Sequence, residues 1–128
     1  MSRSEAQNLP QYDVSEITDL IIDSIQDIKG KNILKMDLRE IDEAPADFFI
    51  ICEGESSTQV SAIAGNIEKR MKYERGLMAA HTEGRTNSRW VLVDFFDIIV
   101  HVFHPEVREF YEIEDLWRDA KTTEYQDI

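Results

Sequence analysis

The chain has 128 residues, 42% of them hydrophobic, and 26 acidic residues against 14 basic ones for a formal net charge of −12. That length accommodates one domain around one sizeable core. The charge disfavours broad contact with nucleic-acid phosphates and suits a basic protein as partner.

Cys52 is the one cysteine, which excludes a disulfide framework and fits a reducing compartment. It lies inside an apolar run and reads as a small buried hydrophobe, not a reactive thiol. The opening MSRSEAQNLPQ lacks an apolar signal segment, and no apolar run is long enough to span a bilayer. The expected setting is cytoplasmic, without membrane contact.

In chain order, residues 1–11 are polar, include Pro10, and are expected to form a flexible tail. A single domain is expected over 12–118. Asp13 and Glu16 form a capping-box pattern ahead of Ile17, Leu20, Ile21, Ile25 and Ile28, which share one helical face. Gly30 is placed to end that helix. In NILKMDLRE, Leu34, Met36 and Leu38 alternate with Lys35, Asp37 and Arg39, predicting a half-exposed strand. DEAPA is a loop, and DFFIICEG is a continuous apolar run of strand length, hence a central strand covered on both faces.

Ser56 and Gln59 cap a second helix with the stripe Val60, Ile63, Ala64, Ile67 and Met71, closed by Gly76. LMAAHTEG is a weaker strand and GRTNSR a loop. Trp90–Asp94 and Ile98–Phe103 are strands separated by so few residues that they pair as an antiparallel hairpin. Pro105 starts a last helix, PEVREFYEIEDLW, and 119–128 is expected to be a flexible C-terminal tail. The order is α-β-β-α-β-β-β-α. It predicts an α+β fold: a mixed five-stranded sheet with packed helices, the central strand–helix–strand unit crossing over right-handed with parallel strands.

Three constellations bear on function. Asp94, Asp97, His101, His104 and Glu106 have the residue types of a metal site. However, strand residues three apart face opposite ways, so one ion would hardly gather both histidines. A GESS turn before a helix in a mixed sheet suggests nucleotidyl transfer. That chemistry needs two carboxylates side by side on one strand, as in D-x-D; Asp94 and Asp97 are three apart across a turn, and Asp37 has no acidic partner two residues away. Trp90, Phe95, Phe96 and Tyr111 beside acids have the make-up of a partner hot spot, although packing of the last helix onto the sheet accounts for Trp90 and Tyr111 equally well.

The segments DFFIICEGESS, HTEG and RWVLVDFFDIIVHVFHPEVREFYEIEDLW together resemble the Iojap or ribosomal silencing factor (RsfS) family, from about Tyr12 to Trp117. The densest match is Trp90, Asp94, Asp97 and His101, then Phe110, Tyr111, Glu112, Glu114, Leu116 and Trp117 at the family's spacings. The resemblance implies a sheet related to nucleotidyltransferases but no catalysis and no cofactor. It also implies binding to a large-subunit ribosomal protein, universal number fourteen, which blocks subunit joining and represses translation. By position it assigns Trp90, Phe95 and Tyr111 to the partner-binding surface, which the acids Asp94 and Asp97 would complete by meeting basic groups at its rim. Little direct nucleic-acid contact is expected, and homodimers occur in the family. Two positions depart from the pattern: Phe96 replaces a glycine before the second acid, and Arg89 replaces an acid before the tryptophan.

Overall fold

The computed structural model describes residues 13–128; the expected tail at 1–11 lies outside them. Helix α1 (Val14–Asp27) leads into β1 (Lys31–Asp37) and β2 (Phe48–Glu53). Helix α2 (Ser57–Arg75) precedes β3 (His81–Glu83), β4 (Trp90–Asp94) and β5 (Ile98–Phe103). Helix α3 (Pro105–Tyr111), the single turn α4 (Ile113–Leu116) and β6 (Lys121–Tyr125) complete the chain. The sheet order is β3-β4-β5-β2-β1-β6. The β2–β5 pair is parallel and every other pairing is antiparallel.

The helical stripes pack as their periodicity requires. Ile17, Ile21, Ile22 and Ile25 of α1 meet Val60, Ile63, Ala64, Ile67 and Met71 of α2, over Phe48, Ile50, Cys52, Val91, Val93, Val100 and Val102 of the sheet. Residues from Phe48 to Cys52 are all buried, as a central strand demands. Cys52 has no exposed surface, and its burial pushes the thiol far above the ordinary range, so it is protonated packing material. The opposite face holds a second core of Met36, Leu38, Phe49, Ile51, Ile99, Phe103 and Ile113, covered by the α3–α4 segment.

Polar contacts set how the two long helices meet. The Gln59 side-chain amide donates to the carbonyls of Ile28 and Lys29 at 2.9 and 3.1 Å, and the Asn66 amide to the carbonyl of Ser24 at 2.8 Å. At the start of α1, Asp13 accepts from the Ser15 N–H at 2.8 Å, while Glu16 pairs with Arg75 of α2 at 3.2 Å instead of closing a capping box. The left-handed residue after α1 is Lys29 (φ 62), not Gly30. Gly30 is needed for a different reason: a Cβ there would run into the Ile25 side chain. At α2 the expected caps are present, with Ser56 accepting from the Gln59 N–H and Gly76 left-handed at φ 66.

Three expectations are corrected. The sheet has six strands, not five, because 121–125 pairs with β1 along the register Ile33–Tyr125 to Asp37–Lys121. That segment is polar and mostly exposed, so it carries no hydrophobic alternation; backbone hydrogen bonds to β1 define it. β1 is accordingly interior, burying Ile33 toward α1 and α2 and Met36 on the other side. Lastly, PEVREFYEIEDLW is not one helix: Glu112 adopts φ 45, ψ 50 and divides α3 from α4.

Candidate partner-binding face

Along β4 the pleat sends Val91 and Val93, fully buried, toward α1 and α2 and Trp90, Leu92 and Asp94 to the opposite face. Pairing with β5 sets Trp90 beside Phe103, Leu92 beside His101 and Asp94 beside Ile99. The result is an aromatic sheet surface. The Trp90 ring lies 4.8 Å from Phe103 and 5.0 Å from Tyr111; His101 meets the Phe49 ring edge-on at 4.7 Å.

Tyr111 reaches Trp90 because α3 is anchored at both ends. His104 caps its start through Nδ1, which accepts from the Glu106 N–H at 3.3 Å, and Pro105 occupies the first position. Near its end the Arg108 guanidinium, largely buried, donates to Glu53 at 3.0 Å, Glu114 at 2.9 Å and the Asn32 carbonyl at 2.7 Å. That clamp joins α3, α4, β1 and β2, and it leaves Tyr111 53% and Phe110 79% exposed over the half-buried Trp90.

His101 defines what Trp90 can offer. It is 5% exposed, and its Nδ1 accepts the Trp90 indole N–H at 3.1 Å. Its Nε2 is buried without a hydrogen-bond partner. Desolvation lowers its pKa to about 4, so the ring is neutral at pH 7 and can accept. With its one polar group occupied, Trp90 presents only ring surface outward.

At the other end of β4, roughly 13 Å along the strand at the usual rise, lies the DFFD turn. The Asp94 carboxylate accepts the Phe96 N–H at 2.7 Å, and the Phe95 N–H donates to Ile98 at 2.9 Å. Phe96 adopts φ 73, the conformation a glycine would take. The Asp97 carbonyl accepts from the N–H groups of Asp47 and Phe48, which fixes the turn to the start of β2. Phe95, which the resemblance assigns to the partner-binding surface, is half-buried against the core on the helical side. Phe96 is the outward residue, 46% exposed.

Trp90 and Tyr111 are thus brought together, whereas Asp94, Phe95 and Asp97 sit at the far end of the same strand. Arg89 pairs with Glu106 at 3.4 Å. The metal candidates separate: His101 serves Trp90 and His104 caps α3. Among the described residues no three His, Cys, Asp or Glu side chains are grouped to hold an ion. The His101 contact was missed from sequence, as was which phenylalanine of the turn, Phe95 or Phe96, faces outward. The hairpin register carries the first, since it puts His101 across from Leu92, one diagonal step from Trp90. Nothing but the Asx chemistry of Asp94 carries the second.

The fold and this face define a mixed α+β domain presenting an aromatic surface beside an acid-flanked turn. The chain belongs to the family described as "Ribosomal silencing factor during starvation" (RsfS), whose model matches residues 11–128. Ribosomal silencing factor RsfS of Halalkalibacterium halodurans is 38% identical over 113 residues, covering 88% of this chain and 95% of that one. A crystal structure of a Chromobacterium violaceum protein superposes with a TM-score of 0.78 at 38% identity, covering 83% of this chain and 87% of the other. More distantly, the mouse protein named "Mitochondrial assembly of ribosomal large subunit protein 1" is 33% identical over 73 residues, which is 56% of this chain and 32% of that protein. No helix among the described residues is long and apolar enough to cross a membrane.

Proposed function

We propose that this chain is a cytoplasmic ribosomal silencing factor that binds the large subunit through a basic ribosomal protein, universal number fourteen, and represses translation by blocking subunit joining. The observation that carries the reading is the Trp90–Tyr111 pair: two aromatic rings in contact, one half-buried and one exposed, with no partner among the described residues covering their outer surface. Aromatic side chains held in fixed orientation make large contact area at little entropic cost and dominate binding energies. Asp94 and Asp97, at the far end of β4, supply acids where a basic partner would bring lysine or arginine. The mouse relative's name points to the same subunit. Occupying a joining surface requires no chemistry. The implied kinship of the sheet with nucleotidyltransferases is therefore one of fold. Self-association belongs to the same family reading and is checked by sedimentation equilibrium of the isolated chain.

The test is co-sedimentation with purified large subunits, with small subunits as control. Binding to the large subunit alone is expected, reduced at least tenfold by Trp90→Ala or Tyr111→Ala. Equal sedimentation with both subunits, or with neither, overturns the proposal.

A further inference from the structure

The charge of this molecule is unevenly spread. A groove of about 690 Å³ runs between the outward side of α2 and the edge strand β3. Gly65 opens it, since a Cβ there would meet only the Arg85 guanidinium. Lys69 and Lys72 continue the same helical stripe, and Tyr73, 74% exposed, and Met78, 68% exposed, stand at the rim. Three cations line the groove against one carboxylate, in a chain whose formal charge is −12. That carboxylate is already engaged: Glu68 accepts from the Thr82 hydroxyl at 3.0 Å and pairs with Arg85. The neighbouring acid Glu83 is bound to His81 at 2.6 Å. Lys69 and Lys72 have no ion-pair partner among the described residues; the Lys72 ammonium instead lies 5.7 Å from the centre of the Tyr73 ring.

We propose that this groove binds a single strand of RNA, with Lys69 and Lys72 on successive phosphates and Tyr73 against a base. Uncompensated ammonium groups beside an exposed aromatic in an elongated concavity are what sequence-tolerant single-strand binding requires. Residues three apart on a helix are neighbours, so two long lysine arms serve one short backbone segment. An acidic peptide would match the charge but leave Tyr73 without a flat ring to stack on. The groove opens on the α2 side of the sheet, where Thr82 of β3 bonds Glu68, and so lies apart from Trp90 and Tyr111 on the opposite face. Elsewhere the overall charge disfavours broad nucleic-acid contact. The inference goes beyond the proposed function, and its test uses no ribosome, so either stands or falls without the other.

The experiment is fluorescence anisotropy of a fluorescein-labelled 12-nucleotide single-stranded RNA with the full chain, with polyglutamate and tripolyphosphate as competitors. Two phosphate contacts give a salt slope of about −1.4, hence roughly sevenfold weakening between 50 and 200 mM salt. Lys69→Glu with Lys72→Glu is expected to weaken binding at least tenfold. Arg118→Glu with Lys121→Glu, an equal charge change at the far end of the sheet, is expected to weaken it less than threefold; melting curves confirm that both variants fold. Absence of RNA binding by the unaltered chain, equal loss in both variants, or displacement by polyglutamate or tripolyphosphate as effective per charge as unlabelled RNA would each overturn the proposal.

Discussion

Acidification should remove a defined part of the stability of this domain through His101. The ring is 5% exposed and accepts from Trp90, and burial lowers its pKa from 6.5 to about 4. In the unfolded chain the same imidazole takes up a proton below pH 6.5. Its contribution is therefore fully present above that value and is lost as pH falls toward 4. Each pKa unit corresponds to about 1.4 kcal/mol, so linkage gives a loss of about 2 kcal/mol between pH 7 and 5 and about 3 kcal/mol by pH 4. The assay is urea denaturation from pH 7 to 4 for the unaltered chain and for His101→Asn, whose side-chain oxygen retains an acceptor near the Nδ1 position but does not titrate. His81 and His104 remain in both, so the difference between the two stability curves reports His101 alone. That difference should shrink by about 2 kcal/mol from pH 7 to 5. Parallel curves would show that the ring does not stay neutral in the folded protein, and the account of Trp90 would fail with it.

Four other expectations follow from packing, backbone conformation and ion pairing. Ile67, with no exposed surface, should cost roughly 2–5 kcal/mol on replacement by alanine; a loss well below 1 kcal/mol in denaturant melts would show that α2 does not bury that face. Phe96→Gly should raise stability by about 0.5–1 kcal/mol, because relief of the left-handed strain exceeds the added chain entropy. Phe95→Ala, being half-buried, should lower it by roughly 1–2 kcal/mol; the reverse order in thermal melts would mean that the two phenylalanines are exchanged. Arg108→Ala strands Glu53 and Glu114 and should cost on the order of 3–5 kcal/mol; it should also loosen Tyr111 from Trp90, seen as lost contacts between the two rings by nuclear magnetic resonance.

The elements that could be read from sequence are those whose burial is local and periodic. The stripe of α2, the unbroken apolar run of β2 and the hairpin of β4 and β5 each announce which side faces inward. β6 announces nothing, since Lys121, Thr122, Thr123 and Glu124 are all exposed and the segment is a strand only because a partner far away in sequence has open backbone groups. The break at Glu112 was equally silent, because it falls at a residue with no turn preference and is held by the Arg108 clamp. Of the candidate site, Trp90 and Tyr111 were legible as a pair through their spacing in the family pattern. The exchange of Phe95 and Phe96 was not, because the conformation at Phe96 is decided by a hydrogen bond from its own N–H to Asp94. A missing glycine alone says that strain exists, not where the ring goes.

The sixth strand does more than widen the sheet. β1 carries Ile33 and Met36, both buried, and without β6 its outer row of amide and carbonyl groups would face solvent beside apolar side chains. A row of that kind is a template on which another copy can continue the ladder. β6 covers it with a border of lysine, threonines and glutamate that offers a second molecule little to join. The last stretch of the chain is thus a selvedge: trimmed at about residue 118, the domain would lose Ala120 and Tyr125 from the edges of its cores and expose the outer ladder of β1.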